Sequence, residues 1–172
     1  MNDAPALSAM SLGVVVERRK AASAWIDYTW RPVAVLPGWP QAEPWSVLAI
    51  DGDATTFYAG AADLALYRTE TGQYRDNLAS SAPSLWVALR PTGGEPPFRV
   101  VAITADPAEG ESFTQAADDL VGAVPIPAAV REMLEAFIAE HHVEQPFFKR
   151  NRDRADPEGL ARRRPMEKGK GR

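Results

Sequence analysis

His141 and His142 are the only histidines in the chain, and Glu140 and Glu144 flank them. His141–Glu144 and Glu140–Glu144 have the spacings that share one face of a helix, an arrangement that can offer two or three ligands to zinc. No further ligand cluster accompanies them, and Pro146 stands where the helix must stop. The reading adopted is therefore structural. His141 closes an apolar stripe, and His142 caps the helix C-terminus, where positive charge is favoured. No metal and no cofactor is assigned.

Other chemistry is tested in the same way. Asp51 and Asp53 could bind a hard cation, but Ala54, Thr55 and Thr56 follow instead of further oxygen ligands, and Asp51-Gly52 between β-formers signals a hairpin. Ser80, Ser81 and Ser84 lack an elbow motif and a base, so no catalytic residue is assigned. Gly93-Gly94 is the one glycine pair, and no GxGxxG or GxxxxGK[ST] loop follows a strand. The absence of cysteine excludes disulfides, thiolate metal sites and cysteine nucleophiles. Arg18, Arg19 and Lys20 form a short basic run, the candidate phosphate contacts of an alternative reading.

Four tryptophans, Trp25, Trp30, Trp39 and Trp45, crowd one stretch, and Trp86 stands apart. Trp25 or Trp30, and Trp86, are expected in the core. Trp39, in the loop "PGWPQ", is expected to contact a partner. Charge points to a second region. Residues 1–148 hold nine Lys/Arg and nineteen Asp/Glu (−10), and residues 149–172 hold ten and four (+6). Phe147 and Phe148 lie just ahead of Lys149, Arg150, Arg152 and Arg154, with Arg162, Arg163 and Arg164 beyond. An apolar anchor beside a charge cluster suits docking to a protein partner.

These residues must be carried by a small fold. A chain of 172 residues suffices for one domain with a real core. Apolar and β-branched runs predict a first strand from about Ser11 and a second over Ala24–Leu36, in which Pro32 forces an edge or a bulge. Two strands are expected around Asp51–Asp53, another in "ADLALYRTETGQYRDNL", and clear strands at Ser84–Pro91 and Phe98–Ala105. Asp106, Pro107 and Glu109 then announce a short helix that Gly110 weakens. Pro127 opens the longest helix, with Val130, Met133, Leu134, Phe137, Ile138 and His141 on one stripe.

The fold class is α+β: six to seven mostly antiparallel strands in a bent sheet or open barrel, a short helix, and a longer amphipathic C-terminal helix. The organisation expected is a flexible arm (1–10), one globular domain (11–148) and a basic tail (149–172) that orders only with a partner. The start is a poor signal peptide, and no segment is apolar enough to span a membrane, so a cytoplasmic location is expected.

"LGVVVERR", "WIDYTWRPVAVLPG" and "VPIPAAVREMLEAFIAEHHVEQPFFKRNRDRADPEGLARRRP" together resemble an uncharacterised bacterial family, over roughly residues 10–166. The resemblance implies genes beside those of molybdenum-dependent formate dehydrogenase. Some members carry the label molybdopterin-guanine dinucleotide biosynthesis protein A. That enzyme resembles a nucleotide-binding α/β protein with a Gly-rich loop, whereas "LGVVVERR" here offers one glycine and then a strand. The function expected is a non-enzymatic accessory factor in formate dehydrogenase maturation, binding a protein. The alternatives are a cofactor-biosynthesis or nucleotide-binding protein using Arg18, Arg19 and Lys20, and, less favoured, a nucleic-acid-binding module.

Overall fold

The computed structural model describes residues 5–38, 41–115 and 118–143. Met1–His142 forms one compact unit and Val143–Arg172 a second, of which only Val143 is described. In the first unit seven strands and three helices follow in the order β1 (Ser8–Lys20), β2 (Tyr28–Pro37), β3 (Ser46–Asp51), β4 (Ala54–Leu66), α1 (Thr71–Leu78), β5 (Ser84–Pro91), β6 (Phe98–Thr104), α2 (Pro107–Phe113), β7 (Leu120–Pro125) and α3 (Ala128–His141). The α+β class and the bent, barrel-like sheet agree with the pattern read from the sequence.

The strands form a single sheet in the order β2-β1-β4-β6-β5-β7, with β3 attached to β4. Its pairings are antiparallel except β4 with β6, a parallel contact at Leu64 and Ile103. The ends of the path, β2 and β7, pack against each other and nearly close the barrel. No ladder joins them among the described residues. Pro32 explains this, because it has no N–H to donate. It lies at a bulge, where Val16 pairs with Pro32 while Val15 pairs with Ala34. Across the seam is Gly122, where an added Cβ would lie 2.8 Å from Pro32 Cδ. The seam is thus closed by backbone against ring.

The core is the inward row of every strand but β3: Leu12, Val14, Val16, Val35, Leu64, Leu66, Leu85, Val87, Leu89, Ile103 and Val124. Val130, Leu134 and Phe137 of α3 add the apolar stripe predicted for that helix. The helix ends at His141, before Pro146, and His142 is its C-cap. Among the described residues, none of these helices is long and apolar enough to cross a membrane.

Three local expectations are corrected. The second strand starts at Tyr28, and Trp25 lies in the preceding bend with 95% of its surface exposed. Alternation alone did not show that the β1–β2 connection consumes residues 21–27. The segment after Leu66 is not a further strand. Strand β4 runs unbroken to Leu66, and a single 3-10 turn (Arg68–Glu70) leads into α1. Helix α1 is held by contacts remote in sequence. Asn77 is buried, its Nδ2 donating to the carbonyls of Ser84 and Ala105 at 2.8 Å each, and its Oδ1 accepting from Ser84 N at 3.1 Å. Third, β1 starts at Ser8, inside the segment read as an arm.

The capped helix α2 forms as expected: Ala108 N donates to Asp106 Oδ1 at 2.8 Å. Gly110 has a further reason to be there. The Trp86 indole fills the space its side chain would occupy, and a Cβ would meet Trp86 Cγ at 2.3 Å. Gly110→Ala should therefore destabilise the protein despite alanine's advantage of about 1 kcal/mol in helices. Gly122→Ala should cost about 2 kcal/mol, and Pro32→Ala should recover part of that loss in the double variant. Thermal unfolding of the wild type and of the Gly110→Ala, Gly122→Ala, Pro32→Ala and double variants, monitored by far-UV circular dichroism, checks both statements; purely additive effects at Pro32 and Gly122 would refute the seam contact.

Candidate functional site

One end of the sheet carries the features that the core does not explain. There β3, β4, β1 and β2 continue past the barrel as four adjacent strands. Residues directly opposite on antiparallel strands share a face. The register aligns Ile50 with Thr55, Thr55 with Arg18, and Arg18 with Trp30. The next row is Val47, Phe57, Val16 and Pro32. Lys20 pairs with Tyr28 at the edge of the same face.

Aromatic rings dominate this face. Trp30 stacks edge-on against Trp45 (6.0 Å between centroids) and Phe98 (5.7 Å), and tilts against Phe57 at 5.8 Å. Such pairs add about 0.5–1.5 kcal/mol each beyond their buried area. Trp45 reaches the cluster from a left-handed backbone, φ 69°, a conformation costly for a tryptophan. Its N–H donates to the carbonyl of Tyr58, which holds it there. Beside it, a cleft of about 430 Å³ opens between the Pro44–Trp45 turn, β4 and β6, lined by Trp45, Tyr58, Phe98 and Arg99. Gly60, at φ 116°, lets β4 bend along this cleft.

Arg18 lies over three rings at once, its guanidinium carbon 4.6 Å from the Tyr28 centroid, 5.2 Å from Phe57 and 5.7 Å from Trp30. Cation–π attraction orients the group. Among the described residues no carboxylate pairs with it and no hydrogen bond uses its N–H donors.

The opposite face is polar and internally paired. Glu17 accepts from Arg31 Nε at 3.0 Å and from Arg19 Nη2 at 3.3 Å. Those two hydrogen bonds, Arg31 first, hold the Glu17 carboxyl below its ordinary pKa. Strand alternation thus separates the basic run Arg18-Arg19-Lys20: Arg18 and Lys20 lie on the aromatic face, and Arg19 serves Glu17 behind it.

The remaining sequence candidates are placed as follows. Trp39, Phe147, Phe148, Lys149, Arg150, Arg152, Arg154, Arg162, Arg163 and Arg164 lie outside the described residues, as does Glu144. The histidines belong to helix packing. His141 lies against the Phe137 ring at 4.6 Å. His142 Nε2 is 3.0 Å from Arg75 Nη1, and a guanidinium only donates, so Nε2 accepts and Nδ1 donates to Thr71 Oγ1 at 3.0 Å. His142, the C-cap of α3 as expected, thereby also links α3 to α1. Asp51 and Asp53 border the hairpin turn, where Gly52 takes φ 57°. Among the described residues no three His, Asp or Glu side chains gather as a metal site.

The aromatic face was not predicted as a unit. The sequence expectation puts Trp25 or Trp30 in the core, assigns Trp45 no place, and groups Arg18 with its chain neighbours; Trp30 is half-buried and packs against the core from this face. The usable signal was period 2: Arg18 continues the Leu12-Val14-Val16 row, so a cation ends an otherwise apolar inward stripe.

A family model described as "Protein of unknown function (DUF3305)" matches residues 11–152, most of the chain. The chain belongs to this family. Membership in a family of unknown function was the expectation from the sequence, and the match spans the barrel, the aromatic face and α3. No curated protein and no solved structure matches the chain.

The Glu17 pairs give a pH prediction. Because the folded carboxyl titrates below its ordinary value of 4.5, its contribution is complete above that value and is lost as pH falls through the folded pKa. The wild type should melt at a higher temperature than Glu17→Gln at pH 7, with the gap closing below about pH 4. A gap that is constant from pH 7 to pH 3 would contradict the pairing.

Proposed function

We propose that this chain is a non-enzymatic accessory protein that docks on a protein partner, the partner being a molybdenum-dependent formate dehydrogenase or a component of its maturation. One observation carries the docking part: six of the nine exposed large apolar residues among the described residues lie on β3 or from the β1–β2 connection to the start of β2. Ile50 is 72% exposed, Val47, Leu48 and Ile26 about half, and Trp25 almost wholly. The two turns are adjacent, since Lys20 N donates to Asp53 O at 3.0 Å. Strand β3 offers one edge to β4 and leaves the other without a ladder partner among the described residues. Apolar surface concentrated in this way, beside an unpaired strand edge, favours association with another protein.

The formate dehydrogenase part rests on the resemblance drawn from the sequence. The basic segment from Phe147 to Arg164 adds a second contact to this reading. A cofactor-biosynthesis role has less support, because Arg18 and Arg19 lie on opposite faces and do not converge on one phosphate.

Mixing the purified full chain with the apo catalytic subunit of the formate dehydrogenase, followed by size-exclusion chromatography, tests the proposal. Co-elution is expected. It should be lost when Trp25 and Ile50 are both changed to Asp, and on deletion of residues 146–172, with far-UV circular dichroism preserved in each. Failure of the full chain to co-elute with the apo subunit would overturn the named partner. Binding of GTP at millimolar concentration would favour the nucleotide alternative.

A further inference from the structure

Resting on the docking proposal, we infer that the aromatic face of β3-β4-β1-β2 is the recognition surface, and that it takes a partner segment with an acidic side chain set between apolar ones. The acidic side chain bonds the Arg18 guanidinium, and its apolar neighbours cover Ile50, Val47 and Tyr28.

Three observations combine here. First, the register places Ile50, Val47 and Tyr28 around Arg18 on one face, and all three are exposed. Second, Arg18 is fixed by three rings yet pairs with no carboxylate among the described residues. Arginine so stacked keeps a planar fork of N–H donors, the geometry that meets a carboxylate in two parallel bonds. By contrast, Arg19 and Arg31 behind the sheet are both occupied by Glu17. Third, charge selects the occupant. Lys20 stands at the edge of the same face, opposite Tyr28 and next to Asp53, so the cation left for a partner is Arg18, on a body whose net charge over residues 1–148 is −10.

A second copy of the chain fits poorly, because a two-fold interface centred on Arg18 would bring the two guanidinium groups together with no carboxylate between them. A nucleic acid would supply anions and stacking bases, but the body repels a polyanion. An acidic–apolar protein segment satisfies the cation without that repulsion, and its flanking residues shield the new ion pair from water, which strengthens it.

The test uses the 15N-labelled full chain and two synthetic ten-residue peptides. Both contain the same Ile, Leu and Phe residues, one with a central Glu and the other with Gln. The Glu peptide should shift the Arg18 Nε–H and Trp30 indole N–H resonances and bind roughly five- to tenfold more tightly than the Gln peptide. The ratio should fall to about one in Arg18→Gln, stay intermediate in Arg18→Lys, and shrink with added salt. Ile50→Ser should weaken both peptides and leave the ratio intact, which separates a folded, altered face from a damaged protein.

Equal affinities of the two peptides, or a preference that survives Arg18→Gln, would overturn the inference. So would the same shifts produced by concentrating the chain alone, which assigns the face to a second copy, or by a dT10 oligonucleotide at equal or lower concentration. These readouts are independent of formate dehydrogenase. Loss of the named partner with the charge preference retained removes the proposed function alone, and binding of that partner with no charge preference removes this inference alone.

Discussion

The barrel depends on a contact that contains no hydrogen bond. At Pro32 the first strand of the sheet path has no donor, and at Gly122 the last has no side chain. Each residue alone would be a weakness: proline interrupts a ladder, and glycine costs conformational entropy within a strand. Together they let β2 and β7 approach until ring meets backbone, so the sheet curls round without completing its ladder. The bulge between Val15 and Val16 supplies the local bend. Curling then produces the interior that Leu12, Val14, Val35, Leu85 and Val87 fill, with α3 lying against it.

The long strand β4 divides the labour. Its first half carries β3 on one edge, and its last residues meet β6 on that same edge. Gly60 lies between, where β4 bends and the cleft beside Trp45 opens. Past this point the four strands continue without the rest of the barrel to cover them. The inward row of the core therefore emerges as an accessible face. Val14 and Val16 are enclosed, whereas Arg18, two residues further along the same row, is partly open to water. The aromatic cluster forms at this border because large rings fill a widening mouth better than aliphatic side chains. A cation over them keeps the mouth polar enough for water.

Much of the fold was legible. The hairpin at Asp51–Asp53, the strands at Ser84–Pro91 and Phe98–Thr104, the Asp106 cap and the stripe of α3 are local patterns: turn chemistry, period 2, capping and period 3.6. Pro32 announced an edge or a bulge, and β2 has both. Helix α1 was not legible. Its amphipathicity is weak, and what holds it is Asn77 reaching Ser84 and Ala105, a network that exists only once β5 and β6 are paired. Gly110 looked like a flaw in α2 and is in fact the space for Trp86. The candidate site was least legible, since Arg18, Trp30, Ile50 and Phe57 come from four strands whose registers no local rule supplies.

By itself the sequence determined the type of every element except α1, the main turns and caps, the inward stripes of most strands, and the division between acidic body and basic tail, because each depends on composition or on residues a few positions apart. Only the tertiary structure decided which strand edges meet, which tryptophans are enclosed, and how the basic run divides between two faces. The reason is physical. Alternation tells which residues share a side of one strand, but a sheet's faces, and the cation placed among rings on one of them, are made by pairing distant strands in a specific register.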